Sequence, residues 1–219
     1  MRRLTLCLGI VLCLTACGAQ LPQPVSSPSN TPATRPAVNP GNIKRVRADL
    51  PGGYEIADLV GPVSAAGLWG FGLGWTADPP QCAALADPAP TDTGARGYSA
   101  SGQGGTVYVV VAAAPATPDA GLLADCAQWT MSFAHTTGEV SVVSPPHIDG
   151  ADTVALTATT RTVVESGRET DGQASSAQAY LDGHVVFVML VTDPGSPYPP
   201  LNSQFVTDVL TETVTALRG

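Results

Sequence analysis

The feature that most constrains this fold is a turn near the C-terminus. Asp182-Gly183 separates two apolar-rich runs, residues 174–181 and 184–192. Aspartate followed by glycine between such runs suits the two-residue turn that joins neighbouring antiparallel strands. Two further strand-like runs, 139–144 and 153–165, precede it. Upstream, residues 97–102 and 106–112 read as strands joined by Gly102-Gln103-Gly104-Gly105, and residues 54–60 open a strand after the turn signal Leu50-Pro51-Gly52-Gly53. Helical patterns stand apart from these runs. Residues 79–86 suit a short helix with proline in its first turn. Residues 119–133 read as a longer helix, capped by Asp119, with Leu122, Leu123, Cys126, Trp129, Met131 and Phe133 toward a core and Gly138 as its stop. Residues 201–217 carry the longest amphipathic pattern, with Leu201, Phe205, Val209, Leu210, Val214 and Leu217 on one face. Strands in runs with helices set apart predict an α+β domain, an antiparallel β-sheet packed by helices that include a long C-terminal one.

The N-terminus places that domain outside the cytoplasm. Met1-Arg2-Arg3 opens an apolar run over residues 4–14, too short to span a bilayer, and small residues follow it. Leu14-Thr15-Ala16-Cys17 resembles the bacterial lipobox, which implies that residues 1–16 are a signal peptide and that Cys17 is acylated to become the new N-terminus. Residues 17–48 are rich in Pro, Ser, Thr, Ala and Asn without periodicity and read as a lipid-anchored linker. Such a segment spans about 30 Å as a coil and up to about 95 Å as polyproline II. Residues 49–219 form one domain by length, large enough to bury roughly 70% of its unfolded surface.

Charge divides along the same boundaries. The formal net charge is +2 over residues 1–16, +4 over 17–48 and −14 over 49–219. Phosphate recognition rests on clustered Lys and Arg, so the acidic domain is excluded as a nucleic-acid binder. The basic segment before it suits an anionic membrane surface.

Export also simplifies the cysteines. Cys7 and Cys13 leave with the signal peptide and Cys17 takes the lipid, so Cys82 and Cys126 remain in an oxidising compartment. A disulfide between them would close a loop of about 45 residues. A metal pair or a redox dithiol is the alternative, but no second pair and no Cys-x-x-Cys spacing accompanies them.

No catalytic constellation emerges. His135, His147 and His184 lack metal-ligand spacing, Gly97-Tyr98-Ser99-Ala100-Ser101 lacks the glycine that completes a nucleophile elbow, and Asp149 and Asp152 flank a turn. The expectation is therefore no enzyme, no metal and no cofactor. Leu68-Trp69-Gly70-Phe71-Gly72-Leu73-Gly74-Trp75 alternates glycine with large apolar residues, and its glycines follow no clear strand and open no long helix, against a dinucleotide loop. Trp69, Phe71 and Trp75 either anchor this loop in the core or line a cleft as ligand-binding residues.

Several of these stretches carry a resemblance. Leu50-Pro51-Gly52-Gly53-Tyr54, the 68–75 loop, Pro79-Pro80-Gln81-Cys82, Cys126-Ala127-Gln128-Trp129 and Val191-Thr192-Asp193-Pro194-Gly195-Ser196-Pro197 look like an uncharacterised family of mycobacterial lipoproteins. More remotely the chain is similar to the extracellular sensor domain of the kinase PknH and to PsbP-like domains. That likeness implies an antiparallel sheet with packed helices and a cleft for a ligand or partner. PknH's sensor is held by two disulfides, whereas this domain has cysteines for one. The function expected is a non-enzymatic, sensor-like binding module, lipid-anchored on the extracytoplasmic face of the cell membrane, for a small ligand or an envelope protein. A carrier of lipid or another apolar envelope molecule is the alternative, and a hydrolase with a dispersed active site a further one.

Overall fold

The structure is a computed structural model that describes residues 37–114, 116–198 and 201–219. Pro36–Gly219 forms one compact unit. Its chain begins earlier than the linker boundary expected at 48. Asn39 accepts a hydrogen bond from Gly41 N and so starts a 3-10 helix, Pro40–Asp49. Three residues per turn place Ile43 and Val46 on one face, and both are buried. This helix packs on the C-terminal helix and on two strands of the sheet, so composition alone misplaces the start of the folded unit.

Nine strands follow in one antiparallel sheet: β1 (Glu55–Val60), β2 (Thr76–Asp78), β3 (Arg96–Gly102), β4 (Gly105–Ala113), β5 (Gln128–Phe133), β6 (Thr136–Val143), β7 (Asp152–Val163), β8 (Glu169–Leu181) and β9 (His184–Val191). Their order across the sheet is β1-β3-β4-β9-β8-β7-β6-β5-β2. Consecutive hairpins account for most of the pairing. The β8–β9 turn forms as its sequence predicts, with Asp182 and Gly183 both at positive φ, 45° and 77°.

Side chains alternate between two layers. On one face Trp69, Phe71, Leu85, Trp129, Met131, Leu156, Phe187 and Met189 form a core beneath three short helices, α1 (Ala65–Leu68), α2 (Ala83–Ala86) and α3 (Ala120–Asp125). On the other face Ile43, Val46, Tyr98, Val109, Val188, Leu190, Leu210 and Leu217 pack under the 3-10 helix and α4 (Ser203–Arg218). Strands β4 and β9 are covered on both faces. That explains their unbroken runs Val109-Val110-Val111 and Val185-Val186-Phe187-Val188, where a strand covered on one side would alternate. α4 starts where Asn202 accepts from Phe205 N and buries Val206, Val209, Leu210, Val214 and Leu217.

The helix expected over residues 119–133 is corrected by this structure. Asp119 does cap α3, accepting from Leu122 N, but the helix ends at Asp125 and residues 128–133 are strand β5. Trp129 and Met131 are buried, Phe133 is half-buried, and Gln128, Thr130 and Ser132 face solvent, so the alternation is that of a strand. Cys126 is bonded to Cys82, with Cα atoms 5.6 Å apart, which fixes the chain where the helix stops. Gly138 is no helix stop. It lies within β6 opposite Met131, and a Cβ there would sit 2.8 Å from the tip of the Phe71 ring.

Candidate functional site

The ring residues expected at a cleft mouth turn inward. Trp69 and Phe71 are buried in the core, and Trp75 is half-buried against it. The glycines between them have separate tasks. Gly70 and Gly74 adopt positive φ, 93° and 87°, which turns the loop. Gly72 leaves room for the Phe133 ring, since a Cβ there would collide with it. Trp69 and Phe71 as ligand contacts are thus corrected to core anchors. Leu73, between Phe71 and Trp75, is exposed. Cys17 lies outside the described residues.

The concave surface lies elsewhere, on the sheet face that α4 only partly covers. α4 and the 3-10 helix pack over β3, β4, β8 and β9. A 16-residue helix is about 24 Å long, whereas eight steps between nine strands span about 38 Å. The remainder of that face, built by β2, β5, β6, β7 and the near end of β8, carries side chains in cross-strand rows. One row is Gln128, Ser141, Thr157 and Ser175. The next is Asp78, Thr130, Glu139, Thr159 and Gln173, and the third is Thr76, Ser132, Thr137, Arg161 and Asp171. The second and third rows are exposed throughout, and the first is exposed at Gln128 and half-buried thereafter.

Two hollows open on this surface. One, of about 330 Å³, lies between the first turns of α4 and the sheet; Ser203, Gln204 and Thr207 face Thr157, Ser175, Ala155 and Val143 across it. The other, of about 450 Å³, is bounded by Asp78, Gln128, Thr130, Glu139 and Ser141. Arg161 pairs with Glu169 at 3.3 Å and Asp171 at 3.2 Å, which closes the third row at one end. The surface offers many hydroxyl and amide groups, a carboxylate at Asp78 and at Glu139, and partly exposed aliphatic side chains only toward its margins, at Val143 and Val163. Such groups can hold a polar ligand or partner by many weak hydrogen bonds, and nothing in the rows pairs a nucleophile with a base. Sequence reasoning missed these rows. Their signal is the alternation of Thr and Ser with buried Trp129, Met131 and Val140, which a helical reading of residues 119–133 hides.

A second concavity, of about 350 Å³, lies over α2 and the start of α3 among Pro88, Pro90, Pro118, Leu122, Tyr180, Asp87 and Asp119. Its carboxylates serve the fold. Asp87 accepts from Ala65 N at 3.1 Å and from the Ser64 hydroxyl at 2.6 Å, which ties the start of α1 to the end of α2. Burial pushes the Asp87 carboxyl above the ordinary aspartate range, against the opposing pull of those two donors. Below it Tyr180 donates to Gln178 Oε1 and Gln178 donates to Leu85 O, a buried link between sheet and α2. Burial likewise raises the Tyr180 phenol.

The histidines stay apart. His135 sits in the β5–β6 turn, His147 in the loop before β7, where Nε2 is 3.1 Å from Asp149 Oδ1, and His184 at the start of β9. Among the described residues no three His, Cys, Asp or Glu side chains are grouped to hold a metal, and no helix is long and apolar enough to cross a membrane.

The profile of a family described as "Domain of unknown function (DUF5642)" matches residues 39–218. Its first matched residue is Asn39, the cap of the 3-10 helix. An uncharacterised protein from Mycobacterium smegmatis, an Rv0999 ortholog solved by X-ray crystallography, shares the fold at a TM-score of 0.63 and 18% identity, over 84% of this chain and all of that one. No curated protein matches the chain.

Proposed function

We propose that this chain, which belongs to the DUF5642 family, is a lipoprotein tethered by Cys17 to the outer face of the cell membrane, and that its domain is a non-enzymatic binding module. The observation that carries the reading is the half-sheet of β2 and β5–β8, uncovered among the described residues and presenting rows of hydroxyl and amide groups where the rest of that face is packed under helices. A sheet that buried both faces fully would need no such polarity on this half, since a covered strand face is apolar. The remote likeness to the PknH sensor and to PsbP-like domains belongs to this proposal. It fits an antiparallel sheet with a long C-terminal helix. The tether supplies location, and the half-sheet supplies recognition of a small polar ligand or an envelope protein.

Two experiments test it. Native mass spectrometry of the chain isolated from its own envelope should find a bound species that is lost with Thr157→Arg, which fills the hollow beside α4, at an unchanged melting temperature. A species retained by that variant, or none on the unmodified chain, contradicts the binding site. Cys17→Ala should release the protein from membranes or leave it unprocessed, and a mutant acylated as before contradicts the anchor.

A further inference from the structure

The cations of the domain's first residues gather on the face where the tether joins. Residues 37–48 carry Lys44, Arg45 and Arg47 and no acid, while residues 49–219 are net −14. The 3-10 helix lays Lys44 and Arg47 beside edge strand β1, where both reach Asp58, and leaves Arg45 exposed between them. Arg47 is already committed: it pairs with Asp58 and its guanidinium lies over the Tyr98 ring, 5.2 Å from the centroid. Its pairing helps pull the Asp58 carboxyl below the usual carboxylate range. Lys44 stands 3.7 Å from the same carboxylate with its side chain 66% exposed, and Arg45 and Arg96 are exposed. Arg96 is the cross-strand partner of Val60, and these two border a hollow of about 280 Å³ with Ile43, Lys44 and Asp58. Val60 is 81% exposed and Ile56, two positions before Asp58 on the same strand face, is 42% exposed. Cations and bare aliphatic side chains thus share one edge, and the preceding chain enters there, where Asn39 N donates to Leu217 O.

We propose that this edge docks on the anionic headgroups of the bilayer to which the chain is tethered. The proposal rests on the anchored reading given above and deepens it. Phosphates of lipid headgroups complement Lys44, Arg45 and Arg96, and Val60 and Ile56 reach the interface beside them. The remaining acidic surface is repelled by the same bilayer, so the charge asymmetry turns the basic edge inward. Tethering holds the edge at high local concentration, so a weak attraction suffices. β1 and β2 lie at opposite margins of the sheet, eight strand spacings or about 38 Å apart. Docking through β1 therefore points the polar half-sheet away from the membrane, toward what it binds.

The test separates docking from lipidation. The chain from Cys17, which retains the entire folded unit, is coupled through that thiol to a maleimide lipid in vesicles, and the bonded Cys82 and Cys126 do not react. Amide hydrogen exchange is read over residues 40–48 and 55–60. On vesicles containing about 30% phosphatidylglycerol, exchange there slows relative to pure phosphatidylcholine, and the slowing disappears in about 1 M salt, where screening reaches about 3 Å. The variant carrying Lys44→Ala, Arg45→Ala and Arg96→Ala loses about 100-fold in the docked-to-free ratio, while Arg168→Ala, in the β7–β8 loop, changes nothing. Equal exchange on the two vesicle types, or an unaffected triple variant, overturns the docking. Neither outcome bears on the anchor, which Cys17→Ala tests by itself.

Discussion

Gly138→Ala tests the packing of the first core layer at one atom. Gly138 faces Met131 across the β5–β6 ladder, and the Phe71 ring lies over it. A Cβ at 138 would stand 2.8 Å from Phe71 Cζ and 3.5 Å from Cε2. Phe71 is 1% exposed and Met131 likewise, so the ring has no free direction in which to retreat. Overpacking a core by one methyl costs about 1–3 kcal/mol. Replacing glycine by alanine in a strand returns roughly 0.5–1 kcal/mol of chain entropy. The net loss is then about 0.5–2 kcal/mol, or a melting temperature lower by roughly 1–8 °C in a domain of this size. In a Phe71→Leu background the ring tip is gone, and the same alanine becomes neutral or stabilising, with a coupling of about 0.5–3 kcal/mol between the two sites. Urea denaturation of the four proteins measures it. Costs that add to within about 0.3 kcal/mol would refute the ring contact. A glycine terminating a helix would show that additive behaviour, because its penalty lies in its own backbone.

Three further outcomes follow from the same core. Replacing Cys82 and Cys126 together by Ala opens a loop of 44 residues and should cost about 4 kcal/mol in urea, while thiol labelling of unfolded, unreduced protein finds neither cysteine reactive; labelling of both refutes the bridge. Trp69→Ala should cost about 3–5 kcal/mol because its side chain is buried, and a variant that melts like the parent would return Trp69 to the surface. Because burial raises the folded-state pKa of Asp87, its favourable contribution is complete below the unfolded aspartate pKa and is lost as pH rises through the folded value; Asp87→Asn should flatten that part of the stability–pH curve, and an unchanged slope contradicts the buried carboxyl.

The sheet was legible wherever a turn signal bounded a run. Asp182-Gly183 and Gly102-Gln103-Gly104-Gly105 mark hairpins that form where expected, and α4 shows its apolar stripe. Residues 119–133 misled because Leu122, Cys126 and Trp129 satisfy a helical period while Trp129, Met131 and Phe133 satisfy a strand period. The bond from Cys126 to Cys82, 44 residues away, and the hairpin that residues 128–133 form with β6 decide between them. The 3-10 helix was hidden by its composition, since two buried residues, Ile43 and Val46, suffice to dock it. The aromatic loop displayed its residues but not their direction. Gly72 and Gly138 accept rings from Phe133 and Phe71, a pairing that only the folded chain reveals. The polar half-sheet was illegible for a related reason, because its rows are assembled from strands up to about 100 residues apart in the chain, from Asp78 to Gln173.

The central claim, that the half-sheet of β2 and β5–β8 is the binding surface, is tested most directly by site-resolved photo-crosslinking in the cells that export the protein. A photoreactive residue is placed at Thr130 or Thr159 on the exposed middle row, and at Thr211 on the exposed side of α4 for comparison. The account predicts one discrete adduct from positions 130 and 159, suppressed by Thr157→Arg, and none of that mass from 211. Adducts from 211 with none from 130 or 159 would contradict it.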